Sequence, residues 1–180
     1  MESTTATETA ILGGGCFWCT ESVFSSLKGV VDVTPGYAGG HVESPSYEQV
    51  CQGGTGHIEV SRVRFDPSVI SFETLLQVFF ATHDPTTLNR QGNDVGEQYA
   101  SAIFCQDARQ VEVAKRVMAE VERQLGVPVV TRVLGAGPFW PAENYHHDYY
   151  ARNPNQGYCQ MVISPKLAKF RKRFAALLAG

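Results

Sequence analysis

Apolar and polar positions along this chain fall into short blocks, most of them closed by glycine or proline. "ETAILGG" is an apolar run ended by glycines and predicts a strand; beyond it Val23, Phe24 and Leu27 share one helical stripe until Lys28-Gly29 stops it. "VVDVTPGY" and "HIEVSRVRF" are rich in β-branched residues and predict a second and a third strand. A Gly/Ser/Pro-rich loop separates them, and Asp66-Pro67 closes the third. Ser71 is placed to cap a helix over "FETLLQVFFAT", and Asp107 with Gln110 three residues on opens a long helix that stops at Gly126. "QYASAIFC" between these helices and "PVVTRVL" after them read as further strands. Ser164-Pro165 opens a last helix on which Leu167, Phe170, Phe174 and Leu177 share a face. The order β-α-β-β-α-β predicts an α+β fold, an α/β two-layer sandwich with helices on one face of a largely antiparallel sheet. Its core is ferredoxin-like, with an extra C-terminal segment and helix.

Composition narrows this picture. The chain has 180 residues, 43% of them hydrophobic, enough for one core, so a single domain is expected over residues 8–180 behind a loose polar tail, 1–7. A net charge of -3 offers no long-range attraction to nucleic acid or anionic lipid, and neither is expected as a partner. "MESTTATETA" lacks a basic and apolar leader, and no later window approaches the ~20 apolar residues of a membrane span, so the expected address is cytoplasmic. Five cysteines cannot all pair, which in a reducing compartment turns attention to catalytic or metal-binding thiols. Cys51 and Cys105 are expected as buried free thiols without a chemical role.

The densest chemistry is in "GGGCFWCT", residues 13–20. A cysteine that follows a strand and a glycine turn, at the first turn of a helix, faces free N–H groups and the positive end of the helix dipole. Cys16 is therefore expected as a nucleophile with a lowered pKa. Cys16 and Cys19 also admit two other readings, the dithiol of a thiol-disulfide oxidoreductase or half of a zinc site. "YHHDYY", Cys51, Cys105 and Cys159 supply candidate ligands for the second half, but no second C-x-x-C or H-x3-H spacing completes one, and no metal or other integral cofactor is expected. Phe17-Trp18 between the cysteines would be a costly apolar exposure unless the site holds something apolar, and an aromatic wall suits a methyl group on sulfur.

"GGGCFWCTESVF" resembles the catalytic signature of the A-type peptide methionine sulfoxide reductases. "GYAGGHVESPSYEQVCQGGTGHIEV", "HDPTTLNRQGNDVGEQYASAIF" and "FWPAENYHHDYY...NPNQGYC" are similar to the family's later blocks, in order, from roughly residue 8 to 160. The resemblance implies a two-layer sandwich on a ferredoxin-like plait, and thiol-dependent reduction of methionine S-sulfoxide, free and protein-bound, as a repair of oxidised proteins. It makes Cys16 the catalytic thiol, Phe17 and Trp18 the pocket for the substrate methyl, and Glu59 the acid. Tyr47 and Tyr99 become hydroxyls around the sulfoxide oxygen with Asp94 nearby, and His146 matches the histidine of the last block. The resulting Cys16 sulfenic acid would condense with a second thiol, and thioredoxin or another dithiol would reduce the disulfide. The protein is expected to act as a monomer.

A sulfoxide is a poor electrophile until its oxygen is protonated. Glu59, on a strand among apolar residues and near a thiolate, should have its pKa raised by desolvation and by like charge. For the resolving step the sequence offers Cys159 and Cys19. Cys159, in the Pro/Asn/Gly-rich "NPNQGYCQ", is expected to be mobile enough to reach Cys16 and is preferred; Cys19 is fixed on the helix, and stands as the alternative or as a second exchange partner. "KFRKRF" reads as the wet face of the last helix, with docking of an acidic reductant as the lesser reading.

Overall fold

The computed structural model describes residues 6–179. Of the expected tail, residues 1–5 lie outside the described residues, and Ala6 and Thr7 are exposed coil. The chain runs β1 (Glu8–Gly14), α1 (Phe17–Phe24), β2 (Val30–Ala38), α2 (Tyr47–Gln52), β3 (Ile58–Phe65) and α3 (Phe72–Ala81). A small hairpin, β4 (Arg90–Gln91) and β5 (Asp94–Val95), leads into β6 (Ser101–Cys105) and α4 (Ala108–Leu125). Then come β7 (Arg132–Gly135), β8 (Phe139–Pro141), α5 (Tyr149–Arg152) and α6 (Ser164–Arg173), the last preceded by a π-helical turn, Cys159–Ile163.

The main sheet has the order β7-β6-β1-β3-β2-β8. Its inner four strands, β6-β1-β3-β2, pair antiparallel throughout, with Ile11 opposite both Phe104 and Arg62 and with Tyr37 opposite Glu59. This is the ferredoxin-like order the element sequence predicts. Two-residue alternation along β1 sends Ala10 and Leu12 into the large core under the helices, with Phe24, Leu75, Phe79 and Val117, while Ile11 joins the smaller cluster of Ile58, Val60, Ala102 and Phe104. Ser71 and Asp107 cap α3 and α4 by accepting from Thr74 N and Gln110 N, and Gly126 ends α4 in the left-handed region.

The departures are at edges. β7 pairs parallel with β6 over only part of "PVVTRVL", and β8, three residues of "FWP", adds an edge strand next to β2. β8 carries no alternation that a sequence pattern could catch; Phe139 is held there by the smaller cluster and by the Arg62 guanidinium 4.8 Å over its ring. α1 ends at Phe24, so Leu27 reaches the core from the turn beyond it.

Candidate active site

β1 delivers the chain to the site and the glycines let it turn. A Cβ on Gly13 would lie 2.8 Å from Ile58 Cγ2 and 3.1 Å from Glu59 O, so the end of β1 can press against β3 only without a side chain. Gly15 adopts φ +96, in the left-handed region, with Gln91 packed where its Cβ would be. Cys16 follows as the N-cap of α1, and its carbonyl accepts from Cys19 N and Thr20 N.

The expected lowering of the Cys16 pKa does not occur. Burial pushes the Cys16 thiol well above its ordinary value, and its hydrogen bond to Cys19 and the nearby Glu59 push the same way; the Trp18 N–H alone does not offset the loss of water. Cys19 is instead brought down to about 7, chiefly by the hydrogen bond from Cys16, with burial opposing and Lys166 and the Tyr158 hydroxyl assisting. Helix position alone suggested a thiolate at Cys16; burial disfavours it there, and the hydrogen bond from Cys16 favours it at Cys19.

Glu59 lies on β3, 1% exposed, and its Oε1 accepts the Phe17 N–H at 3.2 Å. Its Oε2 has no hydrogen-bond partner among the described residues. Burial raises its pKa to about 8 against that one hydrogen bond, with Asp94 and Cys19 adding like charge. Tyr47 opens α2, and its ring stacks on Phe17 at 6.2 Å. Burial and then the charge of Glu59 hold both the Tyr47 and Tyr99 hydroxyls protonated far beyond neutral pH. Cys16, Phe17, Glu59, Tyr47 and Tyr99 are thus brought together from four separate elements: α1 with its cap, β3, α2 and the 3-10 turn Glu97–Tyr99. Asp94, on β5, accepts from the Tyr158 hydroxyl at 2.7 Å.

The two aromatics differ in exposure from the sequence expectation. Phe17 is 1% exposed, packed under Tyr37, Tyr47 and His146, and only Trp18 is partly exposed. Trp18 stacks on Tyr149 at 3.8 Å with rings 7° from parallel, and its indole N–H donates to His146 Nδ1 at 3.0 Å. That bond requires a neutral His146 with its proton on Nε2, and burial keeps the ring neutral down to about 4. His146 therefore orients Trp18 and packs on Tyr47, 4.4 Å away.

Three supporting residues have no signal in the sequence pattern. Both oxygens of the buried Glu21 on α1 accept from Asp148 N at 3.0 Å, tying down the segment that carries His146 and Tyr149; burial raises its pKa to about 7. Glu143 accepts from Tyr37 OH and Tyr47 N, both at 2.9 Å. Burial would raise its pKa, but these donors hold it below the ordinary carboxylate value. Tyr158 meets the Trp18 ring edge-on at 5.9 Å. An acid three residues after Trp18 and another three before His146 were visible, but their partners lie more than 90 residues away.

The remaining thiols also depart from expectation. Cys159 is fully buried in the π-helical turn, packed with Cys16, Cys19 and Ile163, because the apolar side of that turn docks beside α1. Cys105 is buried as expected, but Cys51 is exposed, since α2 is a short surface helix that buries Val50. No described helix is long and apolar enough to cross a membrane.

Over residues 8–178 the chain matches the peptide methionine sulfoxide reductase family. It is 61% identical over 173 residues to the peptide methionine sulfoxide reductase MsrA of Chromobacterium violaceum, covering 95% of this chain and 98% of that protein. Mxr1 from Saccharomyces cerevisiae in its reduced form is similar with a TM-score of 0.82 at 33% identity, over 88% of this chain and 92% of that one. Mxr1 in complex with Trx2 shares the fold, with a TM-score of 0.58 at 22% identity over 83% and 88% of the two chains.

Proposed function

The chain belongs to the peptide methionine sulfoxide reductase family, whose thiol-dependent reduction of methionine sulfoxide it shares, and we propose how its own residues carry the reaction. One observation carries the reading: a carboxyl buried beside the Cys16 turn, with one oxygen tied to Phe17 N and a pKa near 8. Such a group keeps its proton at neutral pH and can deliver it to a sulfoxide oxygen. Tyr47 and Tyr99 donate hydrogen bonds to that oxygen as charge develops on it; one such donor typically contributes about 2 to 4 kcal/mol to the transition state. Asp94 orients this side of the site through Tyr158.

Cys16 Sγ bonds to the substrate sulfur as its proton passes to the Cys19 thiolate, the group of lower pKa to which it is hydrogen-bonded. The sulfoxide oxygen, protonated by Glu59, leaves as water; a water then attacks Cys16 Sγ, the Sγ–sulfur bond breaks with its electron pair going to the methionine sulfur, and the products are methionine and a Cys16 sulfenic acid. Condensation with a second thiol expels water and forms a disulfide. Cys19 is the favoured partner because it already touches Cys16; Cys159, preferred on sequence, would first have to leave its buried turn. The Trp18 ring, braced by Tyr149 and His146 over Phe17, forms the apolar wall for the S-methyl group. A methyl wall and an oxygen site in fixed relation accept one hand of sulfoxide, the S epimer, in free or protein-bound methionine. Thioredoxin or another dithiol returns the disulfide to thiols, a role supported by the solved complex of Mxr1 with Trx2.

The test is methionine release from separated S and R epimers of an N-blocked methionine sulfoxide, with dithiothreitol and a Cys16→Ser control. Turnover of the S epimer alone, lost in the control, is expected. Equal turnover of both epimers, or turnover surviving in the control, would reject these assignments.

A further inference from the structure

Next to the thiols lies a groove of about 1030 Å³, far larger than one methionine side chain needs. Cys16, Cys19 and Tyr158 line it, and Cys159 does not. One wall is α6, where Lys166, Lys169, Lys172 and Arg173 border the groove around the buried Phe170, while Leu167 reaches the core. None of these four cations is in an ion pair among the described residues. Asp84 and Asp94 stand among the other lining residues, and Met161, 81% exposed, adds an apolar rim. The basic stretch is the wet helix face it reads as, with Lys169, Arg171, Lys172 and Arg173 exposed, and three of these cations, Lys169, Lys172 and Arg173, also border the groove beside the two cysteines.

We propose that this groove docks the protein that reduces the enzyme, a dithiol protein with an acidic rim around its thiols. The inference rests on the functional reading above and on a Cys16–Cys19 disulfide as the species presented. Four unpaired cations along one wall complement acidic side chains and speed encounter, and the exposed Met161 gives apolar contact beside them. A small dithiol needs neither. The exchange is a two-electron transfer. A thiolate of the partner attacks Sγ of Cys16, the more exposed residue of the pair at 9% against 4%, and Cys19 leaves as a thiolate beside Lys166. The partner's second thiolate then attacks the partner sulfur of the mixed disulfide and releases Cys16. The two protons of the dithiol end on the protein's thiols, and the partner leaves as its disulfide.

The experiment compares wild type, Lys169→Glu/Lys172→Glu and Lys169→Arg/Lys172→Arg with N-acetyl methionine S-sulfoxide as substrate. Turnover is driven either by thioredoxin, as the protein dithiol, or by dithiothreitol. The expected result is a KM for thioredoxin raised about tenfold or more in the charge reversal, with a flattened salt dependence. The arginine variant should behave as wild type, and dithiothreitol-driven turnover should stay within about twofold in all three. An unchanged thioredoxin KM would overturn the proposal, as would an equal loss with dithiothreitol. Wild type that dithiothreitol turns over and thioredoxin does not would reject the partner. Wild type inactive with dithiothreitol would overturn the functional reading itself, and the docking with it.

Discussion

Replacing Glu59 by Gln removes a transferable proton while keeping the side chain's shape. The amide oxygen can still accept the Phe17 N–H that Oε1 accepts at 3.2 Å, so the turn carrying Cys16 should survive. What changes is the acid. With its pKa at about 8, Glu59 is protonated in about nine molecules of ten at pH 7, whereas a carboxyl at the ordinary 4.5 would be protonated in about one of 300. Losing a positioned general acid typically costs 10²- to 10⁴-fold, so kcat/KM for the S epimer should fall on the order of 10²-fold or more. The wild-type profile should also decline as pH rises through about 8, where Glu59 deprotonates, and the variant should lack that alkaline limb. The same shift has a stability consequence. Because the folded pKa is raised, folding retains a proton that the unfolded chain releases above about 4.5. The associated stability is fully present below that pH and is lost towards 8, by up to about 1.4 kcal/mol per unit. Urea midpoints from pH 5 to 9 should therefore fall more steeply in wild type than in Glu59→Gln. A variant within tenfold of wild-type kcat/KM, or one with the same alkaline limb, would refute the assignment of Glu59 as the acid.

Peptide mapping after a single turnover should find a Cys16–Cys19 bridge in wild type, and Cys19→Ser should slow disulfide formation about tenfold or more; a Cys16–Cys159 bridge formed at the wild-type rate in that variant would reverse the order. Glu21→Ala, which leaves Asp148 N without its acceptor, should cost about 1 to 3 kcal/mol in urea denaturation and make Trp18 fluorescence more quenchable, with most of the loss recovered in Glu21→Gln. No change in either readout would mean the contact holds nothing. The folded pKa of His146 is depressed to about 4, so its contribution to stability is present above about 6.5 and is lost as pH falls towards 4. His146→Gln should flatten the fall of the thermal midpoint over that window, with His83, also held neutral to about 4, accounting for the slope that remains.

How much of this was legible without the fold depends on the range of the forces involved. Strand alternation, the caps at Ser71 and Asp107 and the stop at Gly126 are local, and the structure repeats them almost residue for residue. The ferredoxin-like order follows from them because connection rules leave few ways to pack such a series of elements. The pieces held by distant partners were not legible: β8 depends on an edge of β2, and the Cys159 turn on a surface beside α1. By itself the sequence determined the family, the glycine turn that carries Cys16 and which residue types could serve as acid and donors, since those are carried by short motifs with fixed spacing. Only the tertiary structure decided how deep each group lies. Depth sets desolvation, which raises the Cys16 thiol, keeps Glu59 protonated and hides Phe17; the hydrogen bond from Cys16 makes Cys19 the thiol of lower pKa, and the packing of α6 brings Lys166 and Lys169 to the groove beside both cysteines.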